Sequence, residues 1–224
     1  IDEYQVKLIV DLQTQTERTS YPDPEIRGIS NIWNPIFKED IQGASVFTPG
    51  EKEILEKHLK ALFILNHRSD KMEDAAVEAV REMVQKEQFD PEAYMARIYH
   101  KFVNNQVIQK QIKQFFSLLV NRRGGAVLWH CGAGKDRSGI CCALLLYALG
   151  VPKADIIEYY AATEESSEDA VEYILEKLFP ASVPGNDRYQ EIARKIFGKK
   201  TCYIEAFFNA IEKDYISVDN YLQK

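Results

Sequence analysis

The pattern of apolar and polar positions divides the chain into a few short strands and many longer helices. Residues 6–12 and 126–129 are short, apolar segments with the length and residue types of buried strands. Residues 29–37 predict another extended segment, broken at Pro35. Most of the remaining chain has apolar residues at helical spacing, so strands are few and helices are many.

Helix start signals support the predicted helices between residues 49 and 123. Thr48 and Pro49 form an N-cap and a first helical position, and Glu51 completes a capping box. Asp90 and Pro91 give a similar start further along the chain. The predicted helices cover residues 49–65, 75–85, 91–102, 107–120, 140–149, 155–163, 168–178, 187–197, 202–213 and 217–222.

This distribution predicts an α/β fold, in which a small, mostly parallel central sheet is surrounded by helices. The 224 residues are enough for one sizeable core. No stretch has the composition of a domain linker, and no repeats occur. We therefore expect a single domain over residues 1–224.

Composition and charge narrow the function classes. The chain is 46% hydrophobic and 28% charged, with a formal net charge of −6, which argues against nucleic acid and anionic membranes as general partners. No apolar run reaches the roughly 18–20 residues that stable membrane insertion requires. The chain begins at Ile1 without a methionine, which leaves room for a leader or an earlier segment. A cytoplasmic protein and a secreted, bacterial effector-like protein both fit this sequence.

The four cysteines form neither a disulfide framework nor a metal-binding pattern, because no CxxC or HxxxH spacing occurs. Cys141 and Cys142 are adjacent in an apolar helical segment, where free cysteines are good core fillers. We expect no metal site and no cofactor.

The chemistry concentrates in one glycine-rich turn between the predicted strand 126–129 and the helix that follows it. Its sequence is His130-Cys131-Gly132-Ala133-Gly134-Lys135-Asp136-Arg137-Ser138-Gly139. A cysteine at the start of a helix lies next to unpaired N–H groups and the positive end of the helix dipole, which favour the thiolate. Glycines let those N–H groups converge on one point, where a phosphate fits.

The other residue types of this turn complete a phosphate site. Arg137 carries a planar, permanently charged fork that binds two phosphate oxygens opposite Cys131. In-line attack by the thiolate then gives a phosphocysteine, which water hydrolyses without a metal. The residues expected to bind the substrate phosphate are Gly132, Ala133, Gly134, Lys135 and Ser138. The Ser138 hydroxyl is also placed to hydrogen-bond the thiolate, and His130 is expected to bond loop backbone.

The leaving oxygen needs a proton donor. The stretch from Pro91 to Lys135 contains no aspartate, so Asp136 inside the turn is the best candidate for the general acid. Asp40 and Asp70, on upstream loops, are weaker candidates.

Other functions for this turn fit less well. A nucleotide-binding P-loop would need glycine at position 129 and serine or threonine at position 136, where the chain has Trp129 and Asp136. A papain-like protease needs a histidine after the cysteine, and all four histidines precede it. A sulfurtransferase does not need the Lys-Asp-Arg-Ser series. A phosphoprotein- or phosphoinositide-binding module with an inactive loop remains the main alternative to an enzyme.

HCGAGKDRSG resembles the HC-x-A-G-K-D-R-[TS]-G loop of the atypical bacterial tyrosine and phosphoinositide phosphatases. Three further stretches resemble the same family: residues 10–18, 145–160 and 203–222. Gln13 stands where the family usually has arginine after the Asp-Leu pair.

The resemblance implies a protein tyrosine phosphatase-like fold, and a phosphorylated protein or a phosphoinositide as substrate. It implies that the loop aspartate is the acid, and that Asp11, at the end of a strand, orients Arg137. It also implies a helical lid, for which residues 49–105 are the candidate.

Overall fold

Three parallel strands form the sheet in the part of the chain that the structure describes. This computed structural model describes residues 3–20, 22–37, 90–162, 186–198 and 200–224, with a few helical residues between 168 and 176. The strands are β1 (Val6–Asp11), β2 (Ser30–Trp33) and β3 (Ala126–His130), in the order β2-β1-β3. Their C-terminal ends lie at one edge, because Asp11 pairs with Trp33 on one side and with His130 on the other. In parallel sheets, ligands bind at such an edge, where the strand order reverses.

Helices surround this sheet, which confirms the predicted α/β class with a small parallel sheet. They are α1 (Gln15–Ser20), α2 (Pro91–Asn104), α3 (Gln106–Val120), α4 (Asp136–Ala148), α5 (Lys153–Ala162), α6 (Asn186–Phe197), α7 (Thr201–Tyr215) and α8 (Val218–Leu222).

Local signals set several helix ends. The Asp90 side chain accepts hydrogen bonds from the N–H groups of Glu92 and Ala93 at 3.0 Å, which confirms the predicted start of α2. Asn105 ends α2 and caps α3, since its side chain accepts from Val107 and Ile108.

Two helix starts differ from the prediction. The six-residue α1 is polar and too short for helical periodicity to reveal it. Helix α4 begins at Asp136 rather than at Ile140, because the polar end of the glycine-rich turn forms the first helical turn.

The core lies between the sheet and helices α2 and α7. Tyr99 and Phe102 of α2 are wholly buried, and the Tyr99 ring lies 5.8 Å from that of Tyr203 on α7. Residues 91–104 of the predicted lid thus form a core helix. The rest of the predicted lid, and the candidate acids Asp40 and Asp70, lie outside the described residues.

Among the described residues, none of the helices combines the length and the apolar character that crossing a membrane would require.

Candidate active site

The turn between β3 and α4 is buried at the C-terminal edge of the sheet. Cys131 is 6% exposed and Arg137 is 2% exposed. The backbone N–H groups of the first turn of α4 lack partners within the helix, so they favour an anion beside Cys131. Gly134 has a φ of +63°, in the left-handed region that favours glycine.

Arg137 is held by a buried, two-pronged ion pair with Glu17 of α1. Its Nη1 lies 2.5 Å from Glu17 Oε2, and its Nη2 lies 2.6 Å from Glu17 Oε1. Burial acts to lower the pKa of Arg137, but the charges of Glu17 and Cys131 outweigh it, so the pKa rises above its ordinary value. Arginine has five N–H groups, so the pair with Glu17 leaves donors for a phosphate.

Glu17 is itself fixed by a capping box at the start of α1. The Thr14 N–H donates to Glu17 Oε2 at 2.8 Å, and the Glu17 N–H donates to Thr14 Oγ1 at 3.2 Å. Burial raises the pKa of Glu17, but the charge and hydrogen bonds of Arg137 outweigh burial and lower it. The carboxylate therefore stays ionised and keeps Arg137 in one orientation.

Gly132 is required by the close approach of this ion pair. A Cβ atom at position 132 would lie 2.3 Å from Glu17 Oε1 and 3.2 Å from Arg137 Nη2. The guanidinium therefore lies directly against the backbone of the turn, next to Cys131.

The expected pairing of Asp11 with Arg137 is corrected by these contacts. Asp11 is wholly buried, its Oδ1 accepts from the Gln13 N–H at 2.9 Å, and its Oδ2 lies 3.5 Å from Arg18 Nε. Burial raises the pKa of Asp11 above its ordinary value, whereas the Gln13 hydrogen bond acts to lower it. Asp11 is thus engaged by Gln13 and Arg18, and Glu17 on the helix that follows β1 pairs with Arg137 instead.

His130 pairs with a carboxylate rather than mainly with loop backbone. Its Nε2 lies 2.9 Å from Asp23 Oδ2, and its Nδ1 lies 3.4 Å from the Cys131 carbonyl oxygen. Ligand-type atoms of Asp11, Asp23 and His130 lie within 4.8 Å of one another. The Arg18 guanidinium also lies 3.5 Å from Asp11 Oδ2, so these side chains form a polar network beside the turn.

The Lys135 ammonium connects the turn to the C-terminal end of α6. Its Nζ donates to the carbonyl oxygens of Ile196 at 2.7 Å and Gly198 at 3.0 Å, at the C-terminal end of α6. The side chain is 4% exposed, and this burial lowers the pKa of Lys135 despite the opposing charge of Asp136. Helix C-terminal carbonyls thus take two hydrogen bonds of the Lys135 ammonium, and its contact with the substrate phosphate stays a prediction.

Asp136 lies in the first turn of α4 with one oxygen engaged. Its Oδ1 accepts a hydrogen bond from the Tyr99 hydroxyl at 2.6 Å and lies 3.6 Å from Lys135 Nζ. The Tyr99 hydroxyl is in turn 2.7 Å from the Tyr160 hydroxyl. Both of these contacts are made by Oδ1 and not by the other carboxylate oxygen, Oδ2.

Ser138 lies one residue after Arg137 in the same turn of α4. Its hydroxyl oxygen is buried and makes no hydrogen bond within the described part of the chain. A hydroxyl in this position retains its donor for an anion that forms in the turn.

The model of the tyrosine phosphatase family matches residues 1–224. The chain belongs to the tyrosine phosphatase family. It is 47% identical over 70 residues to a tyrosine-protein phosphatase of Nostoc commune, covering 31% of this chain and 21% of that protein. It is 28% identical over 138 residues to a triple specificity protein phosphatase of Mycobacterium tuberculosis, covering 58% of this chain and 49% of that protein. The chain thus aligns with half or less of the length of these relatives.

This tyrosine phosphatase family member has three site residues whose roles the sequence analysis missed. Glu17 had a local signal, because Thr14 and Glu17 have the spacing of a capping box. Tyr99 and Tyr160 had no such signal, because tyrosines at helical spacing look like ordinary core residues.

Proposed function

We propose that this protein is a cysteine-dependent phosphatase that hydrolyses phosphate monoesters through a phosphocysteine on Cys131. The observation that carries the proposal is the buried Arg137–Glu17 pair placed against the backbone of Gly132. It holds a permanent positive charge against a turn that leads into a helix N-terminus, where unpaired N–H groups also favour a phosphoryl group.

Two chemical steps follow from this arrangement. The Cys131 thiolate attacks phosphorus, the bond to the leaving oxygen breaks, and Asp136 gives that oxygen its proton. Water then attacks the phosphocysteine, the Asp136 carboxylate accepts a proton from that water, and the sulfur–phosphorus bond breaks to release inorganic phosphate. Arg137 and the loop N–H groups stabilise the charge on the equatorial oxygens in both steps. None of these steps needs a metal or a cofactor.

Phosphotyrosine in proteins is the substrate class that we favour. Family membership supports it, and so does the position of Lys135. A polyanionic phosphoinositide headgroup would favour an extra ammonium facing the substrate, whereas the Lys135 ammonium binds the carbonyls of α6. A panel of phosphotyrosine peptides, phosphoserine peptides and phosphoinositide vesicles compares these classes directly.

The test is turnover of an aryl phosphate by the wild type and by Cys131→Ser, with Cys142→Ser as the matched control. Cys142 lies on α4 outside the turn, so the control loses a thiol without losing the nucleophile. We expect Cys131→Ser to lose at least about a thousandfold in kcat while its melting temperature stays close to that of the wild type. Near-normal turnover by Cys131→Ser, or an inactive wild type, contradicts the proposal.

A further inference from the structure

Three helices bring hydroxyl groups and a carboxylate together beside the turn. Tyr99 comes from α2, Tyr160 from α5 and Asp136 from the start of α4. The Tyr99 hydroxyl is 2.6 Å from Asp136 Oδ1 and 2.7 Å from the Tyr160 hydroxyl. All three residues are buried, and Tyr99 is wholly so.

We propose that Tyr99 and Tyr160 are positioning residues that hold Asp136 Oδ1, so that Asp136 exchanges its proton through Oδ2. The inference rests on the proposed function, because it concerns the acid of that reaction. Both tyrosines act through Asp136 and do not touch the reacting atoms.

The direction of the hydrogen bonds supports this role. A hydroxyl has one proton, so when Tyr99 donates to the ionised Asp136, Tyr160 must be the donor to Tyr99. Burial, and then the negative charge of Asp136, raise the pKa of Tyr99 well above 10. The Tyr99 hydroxyl therefore keeps its proton at every working pH and remains a donor to the carboxylate.

A donor of this kind affects both chemical steps. It stabilises the carboxylate that forms when Asp136 protonates the leaving oxygen, and that same carboxylate is the base in the second step. Because Oδ1 is occupied, the proton is confined to Oδ2, which removes alternative orientations of the acid.

The packing of Tyr160 explains one residue of the signature turn. A Cβ atom on Gly139 would lie 3.0 Å from Cε2 of the Tyr160 ring. Glycine at position 139 thus allows α5 to approach α4 closely enough for the Tyr160 hydroxyl to reach Tyr99. The final glycine of the HCGAGKDRSG sequence therefore serves the acid rather than the phosphate.

The groups that face Asp136 determine how the pH dependence responds. Tyr99 from α2 and Tyr160 from α5 lie on one side, and Tyr203 from α7 packs against Tyr99 and Lys135. The charged and titratable groups of the turn and α4 are Cys131, Lys135 and Arg137. Replacement of Tyr99 by phenylalanine removes one donor and leaves these charges in place. Loss of a hydrogen bond to the ionised form makes a carboxyl retain its proton to higher pH.

The experiment compares Tyr99→Phe, Tyr160→Phe, Asp136→Asn and the control Tyr147→Phe. Tyr147 also lies on α4, and its hydroxyl also donates to a carboxylate, Asp219, at 3.4 Å, but outside the site. Each variant is assayed with phenyl phosphate, a poor leaving group, and with p-nitrophenyl phosphate, an activated one. Melting temperatures identify any variant that is not folded.

We expect Tyr99→Phe to lower kcat about tenfold for phenyl phosphate and less than about threefold for p-nitrophenyl phosphate. Tyr160→Phe should show the same selectivity with a smaller loss, and Tyr147→Phe should match the wild type. The alkaline limb of the kcat profile for Tyr99→Phe should move to higher pH.

The outcomes separate the two proposals. If Asp136→Asn shows the leaving-group selectivity and Tyr99→Phe loses activity equally on both substrates with an unmoved pH profile, the tyrosines are only structural and the inference is wrong. If the wild type hydrolyses neither substrate, the proposed function itself is wrong. If Asp136→Asn loses activity equally on both, Asp136 is not the acid, and the inference fails with it.

Discussion

Glu17 has two roles that link local structure to the chemistry of the site. Its carboxylate caps the start of α1 through the Thr14 N–H, and it also holds both terminal nitrogens of Arg137. The pair is almost wholly buried, so each charge depends on the other to offset the cost of leaving water. One residue thus fixes both the path of the chain after β1 and the orientation of the phosphate-binding arginine.

At this scale we predict that Glu17→Gln weakens phosphate binding and stability together. The amide keeps the shape but removes the charge, which leaves Arg137 buried without its partner, at a cost of about 3 kcal/mol. The inhibition constant for inorganic phosphate should rise roughly tenfold, because the guanidinium is no longer held in one orientation. The free energy of unfolding and the inhibition constant are also measured for the control Glu158→Gln, which makes the same change at an exposed position of α5. Unchanged phosphate inhibition in Glu17→Gln contradicts the role assigned to Glu17.

The connection between the turn and α6 belongs to the scale of elements. Lys135 is the residue just before α4, and its ammonium binds two carbonyl oxygens at the C-terminal end of α6. A cation is favourable there because it satisfies unpaired carbonyls and opposes the negative end of the helix dipole. The Tyr203 ring of α7 lies 5.8 Å from the same ammonium. Lys135 therefore joins the site to the C-terminal helices.

We predict that Lys135→Met destabilises the protein without a large change in KM for an aryl phosphate. Methionine has a similar unbranched shape but leaves two carbonyls without a donor, which costs about 2 kcal/mol. Thermal or chemical unfolding measures the loss, and Lys195→Met on the surface of α6 is the control, since its ion pairs with Glu92 and Glu191 are exposed. A stable Lys135→Met with a KM raised tenfold or more would show instead that the ammonium contacts the substrate.

Two buried carboxylates at the sheet edge, Glu17 and Asp11, make the stability of the whole molecule depend on pH. The pKa of Glu17 is lowered from its ordinary value of 4.5, because Arg137 outweighs the effect of burial. The stability that Glu17 contributes is therefore present above about pH 4.5 and is lost as the pH falls through its lower folded-state pKa. The pKa of Asp11 is raised by burial, so its contribution is present at low pH and is lost as the pH rises.

We predict that the difference in melting temperature between the wild type and Glu17→Gln becomes smaller as the pH is lowered below about 4.5. In Asp11→Asn the sign is opposite, and the variant gains stability relative to the wild type as the pH rises above about 3.8, the ordinary pKa of the Asp11 carboxyl. Calorimetry of the wild type, Glu17→Gln and Asp11→Asn at a series of acidic to neutral pH values measures both trends. A Glu17→Gln difference that is independent of pH would mean that the ion pair does not stabilise the fold.

The amino-acid sequence alone was sufficient to predict the features that depend on residues close together in the chain. The strand–turn–helix around Cys131, the capping of α2 by Asp90 and the α/β class follow from local periodicity, glycine positions and capping residues. These features are predictable because hydrogen bonds and backbone preferences within a few residues determine them.

Only the tertiary structure decided which distant side chains meet at the turn. Glu17 is 120 residues from Arg137 in sequence, and Tyr99 is 37 residues from Asp136. Asp11 was expected to orient Arg137, which pairs with Glu17 instead, and the hydrogen bonds from Lys135 to α6 were not predicted. The sequence does not reveal such contacts, because the direction of a side chain depends on the packing of neighbouring helices. The sequence indicates which residue types the chemistry needs, and the packing of α1, α2, α5 and α6 around the sheet edge determines which of them meet.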